Sequence, residues 1–257
     1  MPSTELQNTV ALVTGASSGI GEATAMALAQ NGASVALVAR RKDRLENLKT
    51  EIEATGGTAL VIAADITERD QAQAAVNTAV QALGRLDILI NNAGTMLLGP
   101  IADAPVDEWD KMVNVNLLGL FYTAKAALPH LLRAAEGEPR RVADMINISS
   151  VAGRFVRNGS GVYNATKHGV GAFSESLRQE VTQRQVRVAL VEPGAVSTEL
   201  IDHNRQEIRD AIEKLFAADM ASQLEAPDVA DAVVYVVTRP HHVAVNEVLI
   251  RPTQQQG

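Results

Sequence analysis

The chain contains no cysteine, which excludes a disulfide framework, a thiolate nucleophile and a cysteine-ligated metal before any motif is read. Aromatic residues make up only 3%, too few for an aromatic base-stacking surface. No run approaches the ~18 uninterrupted apolar residues that span a bilayer. The start, Met1-Pro2-Ser3-Thr4-Glu5-Leu6-Gln7-Asn8, has neither the basic region nor the apolar run of a signal peptide. An excess of basic charge is missing too: 23 Lys and Arg stand against 30 Asp and Glu, a formal charge of −7. Neither nucleic acid nor an anionic membrane is therefore expected as a partner, and a reducing, cytoplasmic setting fits the thiol-free composition. No Gly/Ser/Pro linker, long charge run or fixed-period repeat divides the 257 residues, of which 46% are hydrophobic. A single domain over 1–257 is expected.

What is present is alternation. Short β-branched runs at Val10–Thr14, Ser34–Ala39, Ala59–Ala63, Asp87–Asn91, Arg141–Ser149, Val186–Glu192 and Val245–Ile250 read as buried strands. Between them, helical periodicity covers Gly19–Asn31, Arg41–Thr55, Glu68–Leu83, Val106–Arg133, Val162–Gln183 and Pro227–Thr238. Thr67 and Asp70 resemble a capping box, and Pro105 and Pro227 stand at helix starts. The pattern predicts an α/β fold, a Rossmann-type doubly wound parallel sheet of seven strands with helices on both faces. One stretch breaks it: Gly194–Gln223, a long loop carrying a charged short helix at Gln206–Met220, reads as a lid over a binding site or as a plain surface excursion.

Between the first strand and first helix stands Thr14-Gly15-Ala16-Ser17-Ser18-Gly19-Ile20-Gly21. Glycines there let a dinucleotide pyrophosphate approach the backbone at a helix N-terminus, where N–H groups and the positive dipole end face it. At the end of the second strand, where an acidic residue would hold a ribose 2′-hydroxyl, the chain reads Ala39-Arg40-Arg41. A carboxylate would repel a 2′-phosphate and guanidinium binds it bidentately, so NADP(H) is favoured over NAD(H). The same arginines also open a solvated helix. Tyr163 and Lys167 are four residues apart on a predicted helix, which puts an ammonium near a phenol and is expected to lower the phenol's pKa toward the working range. Ser149 and Ser150 end the fifth strand; strand alternation lets one of the two face a substrate. Asn116 is a polar residue among Leu117, Leu120, Phe121 and Ala124 and needs a partner if buried. None of the five histidines sits in a hydrolase motif, His241-His242 reads as a surface turn after Pro240, and no metal site is expected.

The glycine spacing T-G-x-x-x-G-x-G, Asn91-Asn92-Ala93-Gly94, Tyr163-Asn164-Ala165-Thr166-Lys167 and Pro193-Gly194 with Thr198 match, in order and spacing, the short-chain dehydrogenase/reductase family, which the whole chain resembles. The resemblance selects Ser150 over Ser149, leaving Ser149 a capping role, and makes Asn116 the holder of a water relay to Lys167. It implies an NADPH-dependent carbonyl reductase or alcohol dehydrogenase in which Tyr163 is general acid or base, Ser150 polarises the carbonyl and Lys167 orients the nicotinamide ribose. Cofactor contacts are implied at Gly15, Ser17, Ser18, Gly19, Ile20, Gly21, Arg40, Arg41, Asp65, Ile66, Asn92, Ala93, Gly94, Tyr163, Lys167, Pro193, Gly194, Val196 and Thr198. A last strand without a glycine pair, and Met96-Leu97-Leu98-Gly99-Pro100, look most like the clavulanic acid dehydrogenase and 3-hydroxy acid dehydrogenase branch, implying small aldehydes and ketones. Met96, Leu97, Phe155, Val156, Leu200 and His203 are the candidate pocket walls. Surplus apolar surface on two long helices, with family habit, implies a homo-oligomer, a tetramer or dimer. Two other readings share parts of the pattern: a sugar-nucleotide epimerase or dehydratase, and a non-catalytic NADP-sensing regulator.

Overall fold

The computed structural model describes residues 5–219 and 223–255; residues 220–222 of the expected lid and Met220 of its helix lie outside them. Seven parallel strands form one sheet in the order β3-β2-β1-β4-β5-β6-β7. They are β1 (Val10–Thr14), β2 (Ser34–Ala39), β3 (Thr58–Ala63), β4 (Ile88–Asn91), β5 (Ala143–Ile148), β6 (Val186–Pro193) and β7 (Glu247–Ile250). The helices are α1 (Gly19–Gln30), α2 (Lys42–Ala54), α3 (Arg69–Leu83), α4 (Val106–Val113), α5 (Leu120–Ala135), α6 (Gly161–Val181), α7 (Gln206–Asp219) and α8 (Ala226–Val237).

Strands buried on both faces are expected to be mostly apolar, and the central ones are: Val10, Leu12, Ala36 and Val38 pack into the layer beneath α3, α5 and α6. Their neighbours Ala11, Val13, Val35 and Leu37 pack into the opposite layer with Leu28 of α1 and Val229, Val233 and Val236 of α8. Order reverses between β1 and β4, the point outside which an open parallel sheet opens a crevice at its carboxyl ends.

Several expected boundaries move for physical reasons. Strand β5 begins at Ala143 because Arg141 has φ 54°, a left-handed conformation that no strand tolerates. The long helix expected over Val106–Arg133 is interrupted by a π-helical turn at Asn114–Gly119, where Gly119 passes Ile66 so closely that a Cβ would lie 2.8 Å from Ile66 Cδ1. Thr67 and Asp70 do not form a capping box: Thr67 turns back, its N and Oγ1 donating to Asp65 Oδ1 at 3.0 and 2.8 Å. Asp228, at the start of α8, instead accepts the N–H of Glu225 at 2.8 Å.

At the opposite end of the sheet from the crevice, Asp144 is wholly buried between two arginines. Arg187 Nε and Arg140 Nη2 reach its two oxygens at 2.7 and 2.6 Å, and Arg187 Nη1 donates onward to the carbonyls of Arg239 and Val243 at 3.0 and 2.7 Å. This cluster fixes the turn that delivers β7 to the sheet. Replacing Asp144 with Asn would leave two buried guanidiniums without a counter-charge. Urea unfolding of Asp144→Asn should show a loss of about 3–5 kcal/mol; a loss below ~1 kcal/mol would contradict that reading of the cluster.

Candidate functional site

The first turn is laced to the fourth strand. Thr14 Oγ1 accepts the N–H groups of Asn92 and Ala93 at 3.0 and 3.1 Å, and Asn92 Nδ2 donates to the carbonyls of Thr14 and Gly15 at 3.0 and 3.2 Å. Gly15 has φ 67°, which L side chains rarely adopt. A Cβ on Gly21 would lie 2.3 Å from Gly15 O and 2.4 Å from Asn92 Nδ2. Gly21 therefore closes the turn against the sheet and, contrary to expectation, does not line the crevice.

From α6, Tyr163 and Lys167 project into the same crevice, each only 7% exposed. Lys167 Nζ donates to the carbonyl of Ile148 at 2.8 Å and lies 5.8 Å from the centre of the Tyr163 ring. Burial pulls the ammonium down to about 8. It pushes the phenol up to about 12, against a smaller lowering by a hydrogen bond with Ser150. The lowering expected from Lys167 is not found: burial sets the direction, Ser150 supplies the opposing contribution, and the ammonium sits over the ring with its donor directed at Ile148.

Of the two serines, Ser150 faces the phenol, and its Oγ also accepts the N–H of Ala152 at 3.1 Å, capping a short turn. Capping therefore falls to Ser150, whereas buried Ser149 donates to the carbonyl of Lys167 at 3.3 Å. Asn116 is 2% exposed and stands behind the crevice wall. Its carboxamide pairs with the backbone of Thr95, accepting at 2.8 Å and donating at 2.9 Å, and donates to Thr166 Oγ1 at 3.1 Å. A Cβ on Gly94 would lie 3.4 Å from Asn116 Oδ1 and 3.9 Å from Lys167 Nζ, so only a glycine's width separates the two groups.

The crevice is a continuous cleft of about 580 Å³, within the range of small-molecule sites. Apart from Gly21 and Asn116, every residue expected at the site lines it: Gly15, Ser17, Ser18, Gly19, Ile20, Arg40, Arg41, Asp65, Ile66, Asn92, Ala93, Gly94, Ser150, Tyr163, Lys167, Pro193, Gly194, Val196 and Thr198. Of the expected pocket walls, Met96, Phe155, Leu200 and His203 line it. Leu97 does not: it is packed with Met112 against Tyr163. Val156 points outward at 75% exposure.

The excursion after β6 folds over this cleft. Its two ends are joined where Ser197 N donates to Leu224 O and Leu224 N to Ala195 O at 2.8 and 2.9 Å. Asn204, which sequence reasoning missed, pins it to the loop after β4, accepting from Leu98 N at 2.7 Å and donating to Met96 O at 2.9 Å. Arg205 pairs with Glu108 of α4 at 3.1 Å. Glu199, also missed, reaches Arg41 and Arg44 at 3.0 and 2.6 Å. These contacts join residues far apart in the chain, and no local pattern announces them.

The model of the short chain dehydrogenase family matches residues 9–209. The chain belongs to the short-chain dehydrogenases. It is an oxidoreductase acting on CH–OH or C=O groups, and no helix among the described residues is long and apolar enough to cross a membrane. This dehydrogenase is 39% identical over 249 residues to an uncharacterised oxidoreductase of Staphylococcus aureus, covering 97% of this chain and 99% of that protein. Its structure resembles the closed form of a serine dehydrogenase complexed with NADP+ (33% identity, TM-score 0.87, 97% of both chains). It also resembles a short chain dehydrogenase/reductase from Burkholderia phymatum in complex with NAD (26% identity, TM-score 0.83, 95% of this chain and 89% of that one).

Proposed function

We propose that this dehydrogenase is an NADP(H)-dependent reductase of small aldehydes and ketones, with oxidation of the corresponding alcohols as its reverse. The observation that carries the reading is the dry pair Tyr163 and Lys167, with Ser150 hydrogen-bonded to the phenol, opening on a cleft whose far end presents Arg41.

The residues fit a dinucleotide. The side chain of Ser18 at the N-cap of α1 makes no cap bond to the helix, so the helix N-terminus faces the cleft at Gly19 and Ile20, ready for an anion. No carboxylate ends β2, and Arg41 sits against the glycine turn, its Nη2 donating to Ser17 Oγ and Ser18 Oγ at 3.0 and 2.7 Å. Arg40 also lines the cleft, but its side chain is 71% exposed and its nearest charged partner is Asp65 at 3.9 Å. Arg41 is therefore the residue that would hold a 2′-phosphate, and the NADP+ complex of the similar serine dehydrogenase supports NADP(H) as the cofactor. The NAD complex among the neighbours shows that the fold takes either cofactor.

When bound, the reduced nicotinamide supplies the hydride. The chain's own residues manage the oxygen. Ser150 Oγ is placed to donate to a substrate carbonyl beside the phenol. Tyr163, protonated throughout the neutral range, gives its proton to the developing alkoxide. Lys167 holds positive charge beneath the ring and orients the nicotinamide ribose, and Asn116, locked by Thr95 and Thr166, holds the backbone next to Gly94 where a water relay would run. The substrate end, walled by Met96, Leu98, Phe155 and Ile212, suits a small apolar carbonyl compound. A homo-oligomer is supported by the exposed Leu249 on edge strand β7.

Tyr163→Phe should bind NADPH as the wild type does and lose about 100-fold or more in kcat for carbonyl reduction. Near wild-type turnover in that variant would remove the acid assignment. Arg41→Ala should lower kcat/KM for NADPH about 10- to 100-fold and leave NADH nearly unchanged, while Arg40→Ala leaves both. An unchanged NADPH/NADH ratio in Arg41→Ala would overturn the cofactor reading.

A further inference from the structure

Glu199 stands one residue beyond Thr198, where the chain leaves β6 for the lid, and its carboxylate is shared by two guanidiniums. Oε2 lies 3.0 Å from Arg41 Nη1 and Oε1 lies 2.6 Å from Arg44 Nη1. Arg41 directs its other donors to the glycine turn, with Nε at 3.1 Å and Nη2 at 3.0 Å from Ser17 Oγ, and Nη2 at 2.7 Å from Ser18 Oγ. The guanidinium is thus held between the rim of the turn and a carboxylate of the lid, and all four residues line the same cleft. Arg44 and then Arg41 hold the Glu199 carboxyl down to about 2, so it is an anion at every working pH.

A 2′-phosphate approaching Arg41 meets two kinds of neighbour. The hydroxyls of Ser17 and Ser18 donate as well as accept and can rotate to serve a phosphate. An ionised carboxylate only accepts, and two anions on one guanidinium repel each other. Arg44, 42% exposed at its side chain on α2, can keep Glu199 after Arg41 is surrendered.

We propose that Glu199 and the cofactor's 2′-phosphate compete for Arg41, which makes Glu199 a specificity-determining residue that restrains the preference for NADP(H). The proposal rests on the NADP(H) reading above. Each occupancy of Arg41 by phosphate gives up one tether of the lid, leaving the Glu199–Arg44 pair, Asn204 and Arg205 to hold it, so recognition of the 2′-phosphate and seating of the lid are linked.

Calorimetric titration of wild type and Glu199→Gln with adenosine 2′,5′-bisphosphate and with adenosine 5′-monophosphate isolates the 2′-phosphate. Competition predicts that Glu199→Gln binds the bisphosphate about three- to tenfold more tightly, a size set by two partly exposed ion pairs. The monophosphate should bind as before, and the gain should shrink at high salt. Unchanged or weaker bisphosphate binding in the variant, or an equal gain for both nucleotides, would overturn the proposal while wild type still prefers the bisphosphate. A wild type that binds both nucleotides equally would overturn the cofactor reading and this proposal together.

Discussion

A phenol and an ammonium packed side by side out of water govern the site. Lys167 is buried as a cation and has the Ile148 carbonyl as its hydrogen-bond acceptor. Its pKa falls from 10.5 to about 8 in the folded chain. Between those values the unfolded chain keeps the proton and the folded chain does not, so Lys167 favours folding more as pH rises through that window. Below it the buried charge is a cost, carried by the rest of the sheet. That cost is the reason to read the lysine as functional: a core position filled for stability alone would hold an apolar side chain.

The surrounding structure keeps that pair in place. Parallel strands buried on both faces bring the ends of β1, β4, β5 and β6 to one edge, and the bonds from Thr14 and Asn92 hold two of those turns together. Behind the wall, Asn116 fastens the loop after β4 to Thr166 on α6, the helix that carries Tyr163 and Lys167. In front, the excursion after β6 is tied at Glu199, Asn204 and Arg205 to three different parts of the chain. The tether at Glu199 uses the same guanidinium that is proposed to read the cofactor's 2′-phosphate.

Much of this was legible in the sequence because parallel strands leave a plain mark. Val10–Val13 and Val35–Val38 are apolar and buried since both faces are covered. The glycine turn and the Tyr163/Lys167 spacing were readable for a similar reason: each is a local geometric demand. Interactions that depend on distant residues were not. The π-helical turn before α5 carries Gly119 past Ile66, a residue far away in the chain. The partners of Glu199 lie in α2 and just before it, and the burial of Leu97 against Tyr163 depends on Met112 of α4. Spacing placed an ammonium near a phenol but said nothing of how dry the pair is. Dryness reversed the expected direction of the phenol's shift.

Proton transfer at this site requires Tyr163 to remain a protonated acid, and ultraviolet difference titration tests this most directly. The chain has three tyrosines, so a Tyr122→Phe, Tyr235→Phe double variant isolates Tyr163. Its phenolate absorbance should stay absent up to about pH 10, the ordinary tyrosine value. A phenolate signal with a midpoint at about pH 7–9, well below that ordinary value, would show that Lys167 overrides burial and would contradict the account.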